Sequence, residues 1–236
     1  MANDLQATKV LVYNRDRPVS ERKFEMSLTL APRLTIVDRV IPRSLAADIA
    51  LVASGALLTA VAAQLVIPAS PVPFTFQTLS VLLVGAALGS VRGALSMLLY
   101  ASLGVLGLPV FAPLADGSHA TGMQAVMGAT FGFVIGFIAA AFVIGYLAER
   151  TWSSHAVKMF VSYAVGSLVI YLFGIPILAA VATGGDLVSA ATIMAPYLIW
   201  DAVKAVAAAA LFPLAWLGVK KLKGCLLYRS PSPRDS

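Results

Sequence analysis

Asp201 and Lys204 are opposite charges three residues apart, inside an apolar stretch running from about Ala190 to Leu217. On a helix this spacing puts them on one face. The stretch exceeds the roughly 20 apolar residues that cross a bilayer. A charge at mid-membrane costs roughly 2.5–3.5 kcal/mol on insertion scales. Two such charges need each other, a water-filled cavity or a polar ligand. Counting inward from Ala190 at 1.5 Å per residue, Asp201 lies about 15–17 Å deep and Lys204 about 4.5 Å deeper. As a self-neutralising pair they would pack a helix bundle. As a site, the carboxylate accepts N–H donors and the ammonium meets an acceptor or an anion. Intramembrane ionisable residues favour the second reading.

A second polar group lies where an outer loop re-enters the apolar region. The segment Ile67-Pro68-Ala69-Ser70-Pro71-Val72-Pro73-Phe74-Thr75-Phe76-Gln77-Thr78 holds three prolines in six residues. Prolines at that density fix φ and exclude helix, so the loop reads as a semi-rigid extended cover. Thr75, Gln77 and Thr78 are then either a polar helix start, with Thr75 as N-cap, or the edge of a lid over a pocket. His119 lies in a small, polar loop with Asp116 and Thr121; a lone loop histidine reads as solvated rather than as a metal ligand. Cys225 is the only cysteine, which excludes an internal disulfide and a cysteine metal site. Neither GxxxxGK[ST] nor HExxH, GxSxG or a paired acidic cluster occurs, so the chain carries no recognisable catalytic constellation. ATP-driven work would need another subunit.

The elements that must position these groups are membrane helices. Hydrophobic residues make up 59% of the chain and charged residues only 12%, far from the soluble norm. Six apolar segments run approximately over 45–67, 76–90, 93–108, 125–148, 157–182 and 190–218. The second and third are short and separated by Gly89-Ser90-Val91-Arg92-Gly93, so they read as a tilted or partly re-entrant hairpin. Spanning segments must satisfy their backbone internally, and the alternation of a membrane barrel is absent. Arg33, Arg39, Arg43, Arg92, Arg150, Lys158, Lys220, Lys221 and Lys223 all flank the segments on one side. The loops 68–75, 109–124 and 183–189 contain no Lys or Arg. This alternation predicts an all-α integral membrane protein, a compact six-helix bundle with both termini cytoplasmic. The net charge of +6 carries no interleaved aromatics and so is no nucleic-acid signature; it fits flanks facing anionic membrane lipid. The organisation expected is a cytoplasmic arm over 1–44, a membrane domain over 45–220 and a tail over 221–236. Residues 1–25 lack an apolar stretch typical of a signal peptide and read as an upstream extension. Residues 225–236 read as a disordered or foreign tail.

Two small-residue faces stand out. Gly128, Gly132 and Gly136 recur every four residues, which lets another helix approach closely and, at the outer end, can admit a flat ligand. Ala53, Ala56 and Ala60 lie roughly on one face of the first segment, suited to internal packing or to docking a second membrane subunit.

In order, the chain carries Pro71-Val72-Pro73-Phe74-Thr75-Phe76-Gln77-Thr78, Leu88-Gly89 with Arg92-Gly93-Ala94, Tyr100 with Gly107-Leu108-Pro109-Val110-Phe111-Ala112, Gly128 to Phe137, and Trp200-Asp201 with Lys204. This series resembles the BioY family, the biotin-specific substrate-binding S components of energy-coupling factor (ECF) transporters. The resemblance implies biotin as transported ligand, no cofactor, no enzymatic activity, and a multi-pass protein of the plasma membrane. It implies partners too: a transmembrane coupling protein and cytoplasmic ATPase subunits. Asp201 and Lys204 match the family's acid and lysine. Gln77, Thr75, Thr130 and Phe131 fall in its other binding motifs, and Ala56 and Ala60 match its docking face; Trp200 stands with Ile199 where the family often has Pro-Gly, and it or Phe131 is expected to cover biotin's apolar bicycle. The family's usual Gly-Pro-Thr-Gly-Gly-Tyr is Gly-Ala-Thr-Phe-Gly-Phe here, from Gly128 to Phe133, which adds bulk and removes a hydroxyl. An S component for another vitamin and a non-transporting scaffold are the alternatives.

Overall fold

The computed structural model describes residues 35, 37–39, 41, 44–67, 72–114, 116–150 and 155–227, with side chains described as far as residue 210 in the last helix. The expected extension 1–25, the prolines Pro68 and Pro71, the end of the tail and the side chains of Lys220, Lys221, Lys223 and Cys225 lie outside these bounds.

Among the described residues there are seven α-helices: α1 (Leu45–Gln64), α2 (Gln77–Leu88), α3 (Ser90–Val105), α4 (Gly122–Val126), α5 (Phe131–Glu149), α6 (Ala156–Ala182) and α7 (Leu187–Leu227). Four of them, α1, α5, α6 and the Leu187–Ala210 part of α7, are long and apolar enough to cross a membrane. At 1.5 Å per residue, α2 reaches about 18 Å and α3 about 24 Å, short of a hydrocarbon core about 30 Å thick.

The expected fourth segment, 125–148, is broken in two. The one-turn α4 ends at Val126, and Met127 to Thr130 form turns, with the Gly128 N–H donating to the Ala125 carbonyl and the Phe131 N–H to that of Gly128. The last helix runs past the expected 218 to Leu227, because its lysines and leucines are good helix formers. Where a five-residue turn was expected, α2 and α3 are joined through Gly89 alone. Its φ of 88° suits glycine, and an added Cβ would lie 2.6 Å from Glu149 Oε1.

Packing follows the small residues. A Cβ on Gly136 would lie 2.9 Å from the Ile170 backbone, and one on Gly132 2.6 Å from the Phe173 carbonyl oxygen. Gly132 and Gly136 thus seat α5 on α6, as their spacing suggested, while Gly128 lies in the turn before α5 and packs on Ala125 and Gln124. Ala56 is only 2% exposed and belongs to the core, and Ala60 packs half-buried against the same core. Ala56 and Ala60 therefore take part in packing within the chain, while Ala53 on the same face is exposed.

The two ends of the bundle differ in chemistry. At one end Arg92 pairs with Asp38 at 2.6 Å and with Asp48 at 3.1 Å, while Glu149 accepts from the Ser90 N–H and hydroxyl. At the other, Val66–Ile67 pairs antiparallel with Phe74–Thr75, closing the base of the proline loop as a two-stranded ribbon.

Candidate functional site

Beside that ribbon, a cavity of about 260 Å³ opens between the loop, α2, α5, α6 and α7. Its volume is near the lower end for small-molecule sites, about 300–1,000 Å³. Phe111, Phe131, Phe133, Phe137, Ile170 and Met194 make much of its wall apolar, and the polar groups converge at one place.

Asp201 and Lys204 meet there, 8% and 7% exposed. The Lys204 ammonium donates to Asp201 Oδ1 at 3.1 Å, to Thr78 Oγ1 at 2.9 Å and to the Thr75 carbonyl at 2.7 Å. An ammonium has three protons, and protein groups take all three. Asp201 Oδ1 also accepts from the Thr78 hydroxyl at 3.0 Å, and Oδ2 accepts from the Tyr171 hydroxyl at 2.5 Å. α2 makes this possible by starting late: its first turn lies beside Lys204, so the lysine reaches a loop carbonyl without bending toward the membrane surface.

The predicted loop residues serve that arrangement. Thr75 donates from its hydroxyl to Gln77 Oε1 at 2.9 Å, and Gln77 Nε2 donates to the Tyr100 hydroxyl at 2.5 Å. Phe74 stacks on Tyr197 with centroids 3.9 Å apart, and the Tyr197 hydroxyl donates to the Val72 carbonyl. These contacts fasten the described end of the proline loop to α7.

Thr75, Gln77, Thr130, Phe131, Asp201 and Lys204 all line the cavity. Trp200 does not; it is 38% exposed. Successive helix residues point about 100° apart, so a helix that aims Asp201 at the cavity turns Trp200 away. Thr78, Tyr171 and Tyr197 were not singled out as ligand residues. Tyr171 is a phenol in the middle of a long apolar helix, and that polarity was the only signal available. Phe133 stands edge-on to the Tyr171 ring, centroids 6.2 Å apart. His119 is neither a ligand nor freely solvated: its Nδ1 bonds the Phe111 carbonyl at 3.0 Å and pins the loop beside the cavity. Among the described residues no group of three or more His, Cys, Asp or Glu is placed to hold a metal.

Membrane-length helices around a largely apolar chamber that holds a buried charge couple mark a multi-pass membrane protein. The sequence model of the BioY family matches residues 31–221, and the chain belongs to that family. It is 36% identical over 172 residues to the biotin transporter BioY of Thermotoga maritima, covering 70% of this chain and 91% of that one. It is 38% identical over 157 residues to the biotin transporter BioY of Rhodobacter capsulatus, covering 59% and 78%. With the probable biotin transporter BioY of Lysinibacillus sphaericus it shares 39% over 131 residues, 56% of this chain and 64% of that relative, so just under two thirds of the latter is spanned. In fold it is similar to the crystal structure of the S-component for biotin from an ECF-type ABC transporter, with a TM-score of 0.62 and 19% identity, covering 76% of this chain and 92% of that one. The named relatives are transporters, not enzymes.

Proposed function

We propose that this chain is a substrate-binding membrane subunit for high-affinity biotin uptake. It captures biotin at the outer face of the plasma membrane and delivers it inward with an ECF coupling protein and cytoplasmic ATPases. On this reading six helices cross the bilayer, both termini are cytoplasmic, and the proline loop is the outer cover.

One observation carries the reading: a buried carboxylate, held by three donors, on the wall of an otherwise largely apolar chamber of small-molecule size. Biotin's fused rings suit the apolar wall. Its ureido group offers N–H donors to Asp201 and a carbonyl to the donors nearby, among them Lys204 if it exchanges one of its present partners. Membership of a family whose relatives are named biotin transporters supports the same ligand.

Titration of biotin into the purified protein tests this directly. Saturable binding is expected, with biotin also found by mass spectrometry in detergent extracts; absence of both overturns it. A second reading, an S component for another vitamin, is favoured by Phe131 and Phe133, which replace the family's smaller or hydroxylated residues and line the cavity. Displacement of labelled biotin by thiamine or riboflavin would support that reading.

A further inference from the structure

Asp201 is the only carboxylate among the described residues lining the cavity. An ionised carboxylate offers about four acceptor positions, two on each oxygen. Oδ1 takes Lys204 at 3.1 Å and Thr78 at 3.0 Å, which fills it. Oδ2 takes Tyr171 at 2.5 Å, which leaves one position.

Both hydroxyls are held to this task. The Thr78 oxygen receives an N–H from Lys204 at 2.9 Å, so its single proton is free to go to Asp201. The Tyr171 ring is braced edge-on by Phe133, which fixes where its hydroxyl lies.

We infer that Thr78 and Tyr171 set the substrate selectivity of the cavity by leaving Asp201 one acceptor position, so that it takes a neutral cyclic urea and rejects a planar cationic fork. The inference rests on the biotin reading and deepens it. A urea presents one N–H to the carboxylate and keeps a carbonyl for a nearby donor. An amidinium or guanidinium gains its advantage by donating to both oxygens at once, and Oδ1 is full. Lys204 neutralises Asp201 as well, so a cation finds no net charge to attract it.

The test compares biotin with 2-iminobiotin, in which the ureido oxygen is replaced by nitrogen and the ring is a cyclic guanidinium at neutral pH. Equilibrium dissociation constants are measured for the wild type, Thr78→Val, Tyr171→Phe and Thr78→Ser, each checked for a folded peak by size-exclusion chromatography. Thr78→Val opens a position on Oδ1 with little change of shape. Tyr171→Phe opens a second on Oδ2, keeps the ring that packs on Phe133, and lets the carboxylate turn.

The wild type is expected to prefer biotin by at least about tenfold, as buried polar sites do when one partner fails to match. Thr78→Val and Tyr171→Phe are each expected to shrink that preference about fivefold or more, and Thr78→Ser to restore it. If both variants weaken the two ligands in parallel, so that the ratio changes less, or if Thr78→Ser fails to restore it, the hydroxyls are structural and the inference is overturned. A wild type without preference for biotin over the imino form overturns it too. A wild type that binds no biotin instead removes the function proposed above.

Discussion

At the scale of single residues, the Asp201–Lys204 couple answers the cost of burying charge by mutual contact and by hydroxyl and carbonyl partners. Removing one member is then worse than removing both. Lys204→Met strands a buried carboxylate, for which losses of about 3–5 kcal/mol are usual, whereas Asp201→Asn with Lys204→Met leaves two neutral groups. Thermal unfolding in detergent is expected to place the single lysine variant well below the double one; equal melting points would mean that water reaches the pair. Asp201→Asn alone is expected to weaken biotin binding tenfold or more while the protein stays folded, and unchanged affinity would take Asp201 out of the site. The couple was legible in the sequence because charge in an apolar stretch is conspicuous. Tyr171 was not, because its partner lies 30 residues away and a tyrosine in such a helix reads as packing. Trp200 shares a motif with Asp201 but not its face, since adjacent helix positions point about 100° apart.

At the scale of elements, two contacts decide whether the chamber keeps its shape. The first is the seating of α5 on α6. Gly136→Val would drive its Cβ to 2.9 Å from the Ile170 backbone, which cannot yield as a side chain can. Overpacking of this kind costs about 1–3 kcal/mol, and each kcal/mol moves the melting point of a domain this size by about 2–4 °C. A measured drop of several degrees is expected, and no drop would mean that the helices lie further apart. The second contact is the clasp of Phe74 and Val72 on Tyr197. Tyr197→Ala removes both the stack and the hydrogen bond, so release of labelled biotin in a chase is expected to quicken about tenfold, roughly 1.4 kcal/mol. A release rate equal to wild type would show that the loop opens by another route. The glycine spacing made the first contact readable in advance. The break between α4 and α5 was not, since Gly128 to Thr130 sit in an apolar run and only the turn hydrogen bonds reveal it.

At the scale of the whole molecule, the proposed six-span orientation rests on the charge pattern, which hydropathy does not carry. Among the described residues four helices qualify as spans by length and composition, while α2 and α3 are shorter. Yet the alternation of Lys- and Arg-bearing segments with charge-free loops requires an even number of crossings when both ends lie inside. In a Cys225→Ser background, cysteines placed at Ser118 and Gly184 are expected to react with a membrane-impermeant maleimide in intact cells, and one at Lys158 only after permeabilisation. Labelling of Lys158→Cys in intact cells would overturn the six-span arrangement.

On the proposed reading, a carrier must also survive the return half of its journey with nothing aboard. The three protons of Lys204 already rest on Asp201, Thr78 and Thr75, so discharge of the cargo strands no ammonium in the hydrocarbon. The emptied protein should therefore withstand purification and storage. Added biotin should then lift its unfolding temperature only by mass action, about 2.7 kcal/mol of stabilisation at a hundredfold excess over the dissociation constant.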